Sequence, residues 1–316
     1  MKRSWVNLLK EVSLIKATKK TYSYAGYCAK YWDVLKMDVW IPESPRADHA
    51  CVIALHGGGF IEGSRDDEWS VKAAETLTNR GFMVVCPDYR LGMKNEEIVK
   101  ENSSLLKLHN ILEYCVELVV EDLINVVDYL LSRDDLQINR HKVILVCSSA
   151  GAIAALQLEY YRVNQMLRPN QLFNYWQPAA IVAYSGAVIA NHFDFGYKWP
   201  GIAPTLLFHG LDDRIVEPGR KICSLKNSFY GSVKLYEAMT SKWPMSTPLC
   251  WLFRVEDAWH EVSLLLPETI DLFCAFVNEA LNYGRSRMNA IIRGQQVEPL
   301  DWTKKSFLEL LKDKTR

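Results

Sequence analysis

The chain has 316 residues, with 37 basic and 37 acidic side chains and a formal net charge of zero. That balance gives no field to gather nucleic acid or an anionic membrane surface. A 49% hydrophobic composition over this length is that of a globular chain able to bury a substantial core. No run reaches the ~20 apolar residues of a membrane helix. Lys10, Glu11 and Lys16 break the N-terminal stretch where a secretory signal needs continuous apolar residues, so a cytoplasmic protein is expected. The eight cysteines show no CxxC pairing and read as small core residues in a reducing compartment. No Cys/His cluster has ligand spacing, so neither metal nor cofactor is expected.

In chain order, short apolar runs predict strands over Val34–Trp40, Cys51–Leu55, Met83–Cys86, Val143–Cys147, Ile181–Tyr184, Thr205–His209 and Pro248–Arg254. Most are continuous, as buried parallel strands are. LKMDVW in the first alternates and reads as an antiparallel edge strand. Helical spacing covers Asp67–Arg80, Leu112–Leu131, Ala150–Asn164, Pro218–Phe229 and Leu264–Leu281. Strand and helix alternate throughout, which predicts an α/β fold with a mostly parallel central sheet and helices on both faces. The expected organisation is one domain with a core over about 34–281, and with residues 1–30 and 292–316 as peripheral decorations.

Ligands of such sheets bind beyond the carboxyl ends of the strands, and five segments there carry polar chemistry. HGGGF at 56–60 can turn backbone N–H groups toward a ligand or can be a tight strand exit; no Gly-Lys-Ser/Thr follows, which excludes a nucleotide P-loop. CSSAG at 147–151 joins a strand directly to a helix. Either serine could cap that helix, but the spacing to Gly151 favours Ser149 as a nucleophile at a sharp turn. HGLDD at 209–213 offers two acids; Asp213 suits a histidine-orienting carboxylate and Asp212 suits the turn. AWHEV at 258–262 supplies His260, completing the chain order Ser, Asp, His. In CPDYRL at 86–91, Asp88 and Arg90 read as structural polar residues, able to pair, that fix the loop beneath the site. The other histidines, His109 among them, have no such context.

Together these landmarks resemble the α/β-hydrolase superfamily, most closely the HGGG-type carboxylesterases and hormone-sensitive-lipase-like esterases. HGGGF, CPDYRL, VEDLINVVDYLL at 120–131, CSSAG, HGLDD and AWHEV occur in the family's order between about Val34 and Leu281. Cys147 stands where the family's elbow carries glycine. The resemblance implies Ser149 as nucleophile, His260 as base and Asp213 as orienting acid, with the amides of Gly58, Gly59 and Ala150 as the oxyanion hole. It implies hydrolysis of a small-molecule carboxylic ester through an acyl-enzyme, with a short acyl group favoured. A prolyl-oligopeptidase-like peptidase and a non-catalytic binding protein on the same fold are the alternatives. Acyl and alcohol preference and oligomeric state are not legible. The stretch from Met93 to Val119 is longer than expected and is a candidate pocket rim. Phe193, Phe195, Tyr197, Trp199, Trp259 and Trp69 either line a pocket or pack beneath loops. Enlarging Gly58 or Gly59 is expected to lower turnover far more than stability.

Overall fold

Runs of five or six small and branched apolar residues have no polar face to offer water, so they pair centrally and are covered on both sides. The computed structural model describes residues 17–25, 34–94, 105–167, 176–198, 201–241, 249–293, 300–306 and 309–310. Its strands are β1 (Ala17–Ala25), β2 (Leu35–Pro42), β3 (Cys51–Leu55), β4 (Met83–Pro87), β5 (Val143–Ser148), β6 (Ala180–Tyr184), β7 (Ala187–Asn191), β8 (Thr205–Gly210), β9 (Arg220–Ile222), β10 (Asn227–Gly231), β11 (Cys250–Val255) and β12 (Arg287–Ile292). Its α-helices are α1 (Glu68–Thr78), α2 (Leu105–Leu131), α3 (Ser149–Val163), α4 (Ser232–Ser241) and α5 (Ile270–Leu281).

Nine strands form one sheet in the order β1-β2-β4-β3-β5-β6-β8-β11-β12. β1–β2 and β2–β4 are antiparallel, and every later pair is parallel. Strand periodicity sends successive side chains to opposite faces. Cys51, Ile53 and Leu55 of β3 join the layer built with α2, α3 and α4. Val52 and Ala54 join the opposite layer, built with α1 and α5. The loop after β4 is tied down by ion pairs, though not between Asp88 and Arg90. Asp88 takes the backbone N–H and guanidinium of Arg65. Arg90 Nε reaches the buried carboxylate of Asp122 on α2 at 2.9 Å.

Three expectations need correction. β2 is not an edge strand, because β1 pairs along its outer side; part of the supposed N-terminal decoration therefore belongs to the sheet. β12 adds an edge at the other end. Pro218–Phe229 is not a helix. It forms β9 and β10, which pair with β7 in a separate three-stranded antiparallel sheet. Ile222, Leu225 and Phe229 have helix-like spacing, but Ile222 and Leu225 are exposed. Pairing with β7, distant in the chain, outweighs that local pattern. The last predicted helix begins only at Ile270, since His260–Leu264 form a separate 3₁₀ turn.

Candidate active site

The site is assembled where β3, β5, β8 and β11 end. β5 passes into α3 through Ser149, whose φ of +47° lies in the left-handed region. Such a conformation costs a non-glycine residue roughly 1–3 kcal/mol and holds the side chain out at the turn. The turn is tight enough that a Cβ at Gly151 would stand 2.5 Å from His56 O and 2.7 Å from Leu55 O. The Ser-x-Gly spacing thus has a steric cause. Ser148 makes no side-chain cap to α3. Its hydroxyl instead donates to Ser263 O at 2.8 Å, tying the elbow to the turn that carries His260. Cys147 is fully buried, and burial pushes its thiol far above the ordinary range, which suits packing and not nucleophilic attack.

Ser149, His260 and Asp213 come together as a chain of hydrogen bonds. Ser149 Oγ lies 2.8 Å from His260 Nε2, and His260 Nδ1 lies 2.7 Å from Asp213 Oδ2. A carboxylate can only accept, so the histidine proton sits on Nδ1 and leaves Nε2 to accept from the serine hydroxyl. Asp213 is held by more than His260. Its Oδ1 accepts the N–H groups of Ile215 and Val216, both at 2.9 Å. Buried His209 stands 3.5 Å from its Oδ2, donates through Nε2 to Val216 O and hydrogen-bonds through Nδ1 with Ser232 Oγ. Burial opposes ionisation of Asp213, but the charges and hydrogen bonds of His260 and His209 outweigh it and hold the carboxyl well below the carboxylate range. Asp212 is exposed, as a turn residue is.

Beside Ser149 opens a cavity of about 200 Å³. Gly59 and Ala150 line it with Ser149. Gly58 is not among the lining residues: its φ is +101° and its carbonyl accepts the amides of Ile61 and Glu62 at 3.0 and 3.1 Å. The remaining glycine of the run, Gly57, has a different cause: its φ is not positive, but a Cβ there would come within 3.1 Å of Ser149 Cβ. The far walls are largely aliphatic, with Leu112 and Val116 of α2, Ile153 of α3, and Ile215 and Val216 beyond β8. The extended segment before Val119 does contribute to the rim through α2; residues 95–104 lie outside the described residues.

None of the described aromatic candidates lines this cavity. Phe193 is 82% exposed, and Tyr197 is fully buried. Phe195 stacks on Tyr230 with ring centroids 3.5 Å apart. Trp259 packs under Arg214, and Trp69, on α1, packs against the core. Trp199 lies outside the described residues. Sequence reasoning missed His109, Phe229 and Ser306 as lining residues, and Trp302, whose ring meets His260 edge-on at 6.1 Å. For His109 a signal existed: Glu113 follows one helical turn later. For Trp302 there was none, because the contact crosses from a C-terminal turn. Among the described residues, no group of three or more His, Cys, Asp or Glu could hold a metal. No helix among them is long and apolar enough to cross a membrane.

The family model described as BD-FAE matches residues 37–98, a stretch that includes the HGGGF loop. No curated protein matches the chain. Among solved structures, the chain is similar to dienelactone hydrolase from Anabaena variabilis, with 18% identity and a TM-score of 0.51 over 85% of this chain and 100% of that one. It is similar to esterase Est2 from the Planctomycetes species Thermogutta terrifontis, with 18% identity and a TM-score of 0.56 over 84% of this chain and 92% of that one. The butyrate-bound form of that esterase gives 18% identity and a TM-score of 0.57 over 82% and 93%. At these identities the likeness establishes architecture: the chain has the α/β-hydrolase fold.

Proposed function

We propose that the protein is a serine hydrolase of carboxylic esters. The observation that carries this reading is the unbroken relay from Ser149 Oγ through His260 to Asp213, opening on an aliphatic cavity. In this reading Ser149 Oγ attacks the ester carbonyl while His260 Nε2 takes its proton. Asp213 keeps the imidazole in the required tautomer and stabilises the imidazolium. Negative charge develops on the carbonyl oxygen, where the amides of Gly59 and Ala150, with Gly58 from the same loop, serve as the oxyanion hole. The α3 N-terminus adds a favourable dipole. His260 returns the proton to the leaving alcohol, and water hydrolyses the acyl-enzyme by the same route.

Two further observations support it. The fold relatives include an esterase phosphonylated by sarin and the same esterase with propionate or butyrate bound. The cavity, at about 200 Å³, suits a short acyl or alcohol group better than a long lipid chain. The test is labelling and turnover together. A fluorophosphonate should add once, at Ser149, and Ser149→Ala should lower hydrolysis of para-nitrophenyl acetate by ~10⁴–10⁶. Labelling at Ser148 or Cys147, or retained turnover in Ser149→Ala, would refute the assignment.

A further inference from the structure

We propose that Trp302 is a positioning residue for the base: packed edge-on against His260, its indole ring holds the imidazole on Ser149 and keeps water away from it. The inference rests on the hydrolase reading above and adds a working part from outside the three relay residues.

Two hydrogen bonds do not by themselves fix an imidazole. His260 is bonded at Nδ1 to Asp213 and at Nε2 to Ser149. A ring so held can still swing about its bond to the carboxylate, which would carry Nε2 off the serine hydroxyl. Packing against the ring has to supply the remaining restraint. Trp302 meets the imidazole with ring centroids 6.1 Å apart and planes inclined at 71°, an edge-on aromatic pair. His260 is 2% exposed, whereas Trp302 is 37% exposed. The indole therefore has one part against the base and another in solvent, as a cover does. Water that reached Nε2 would compete with the Ser149 hydroxyl for the one acceptor the base offers.

The segment around Trp302 is built to hold that cover in place. Trp302 belongs to a 3₁₀ turn over Asp301–Lys304. The next residue, Thr303, is fully buried, and its N–H and Oγ1 both donate to Leu300 O, at 2.9 and 2.7 Å. The Lys305 N–H donates to Trp302 O at 3.2 Å. Ser306 then lines the same cavity as Ser149, and its hydroxyl and N–H both donate to Glu309 Oε2 at 2.7 Å. One short stretch near the C-terminus thus touches the base with Trp302 and the cavity with Ser306. None of these bonds uses the indole, so the ring can be replaced without releasing the turn.

The test reads the base through Ser149. In a fluorophosphonate titration the end point counts competent sites, and the rate reports how well His260 activates the serine. Trp302→Ala should label about tenfold or more slowly per competent site, because a displaced base loses its near-attack geometry. Its kcat for para-nitrophenyl acetate should fall in parallel, with KM within about threefold of wild type. Trp302→Phe, which keeps an aromatic edge, should recover most of the rate. A residue that only stabilised the fold would lower the end point and leave the rate per site unchanged. The proposal is overturned if Trp302→Ala labels at the wild-type rate, if the loss falls on KM alone, or if Trp302→Phe is as slow as Trp302→Ala. If Trp302→Ala yields no titratable sites, Trp302→Leu, which keeps apolar bulk without a ring, is judged by the same criteria. A wild-type protein that neither labels nor turns over para-nitrophenyl acetate would overturn the hydrolase reading, and this inference with it.

Discussion

Replacing Gly58 by Ala should cost the fold, whereas replacing Gly57 by Ala should cost activity. A Cβ at Gly58 would lie 2.0 Å from Glu62 O and 2.6 Å from Glu62 C, where ordinary contact begins at 3.4 Å. Both obstacles are backbone, and they are fixed by the bonds from Ile61 N and Glu62 N to Gly58 O. Relieving the collision breaks those two bonds, at about 1 kcal/mol each. Holding an L-residue at a φ of +101° adds roughly 1–3 kcal/mol. The total is about 3–5 kcal/mol, or a fall in Tm of roughly 5–10 °C for a chain of this size. A Cβ at Gly57 would meet Ser149 Cβ at 3.1 Å and Ser148 Oγ at 3.2 Å, so its neighbours need shift only by tenths of an ångström. That costs roughly 1 kcal/mol of stability. It displaces the nucleophile, however, and should slow fluorophosphonate labelling about tenfold or more. Thermal melts by circular dichroism, with labelling rates measured on the folded fraction, check both halves. The reasoning fails if Gly58→Ala melts within about 1 kcal/mol of the wild type, or if Gly57→Ala is the less stable of the two. For Gly58 this replaces the expectation, drawn from its oxyanion-hole role beside Ser149, Asp213 and His260, that turnover would suffer far more than stability.

Asp213→Asn should lower turnover by about 10⁴ through loss of the histidine's tautomer control. It should also cost about 2–3 kcal/mol at pH 7. Because the folded carboxyl titrates below its unfolded value, its stabilising contribution is complete above about pH 4 and is lost as the pH falls further. The stability gap to wild type should therefore narrow between urea titrations at pH 7 and pH 3; a gap that widens on acidification would contradict the assigned shift. Arg90→Met should destabilise by about 3–5 kcal/mol, since it strips the guanidinium from the buried Asp122 carboxylate. The double substitution Arg90→Met with Asp122→Leu should recover much of that loss in the same urea titration, and no recovery would mean the ion pair is not the cause.

The sequence by itself determined much of this protein. Short continuous runs such as CVIAL and VILVC, alternating with amphipathic helical stretches, read as strands covered on both faces, so the parallel centre of the sheet was legible. Ser149, Asp213 and His260 were also legible, because each stands at a strand end within a short motif whose glycines or turn residues are locally required. The tertiary structure decided the rest, wherever long-range pairing overrode local pattern. Ile222, Leu225 and Phe229 have helical spacing, yet β10 pairs with β7, formed well upstream in the chain. The edge position of LKMDVW was lost when β1 paired outside it. The aromatic residues after β7, prominent in sequence, pack away from the cavity. Its walls come instead from aliphatic residues on α2, α3 and the loop after β8. Which side chains share a cavity depends on how layers stack, and no spacing along a single segment encodes that.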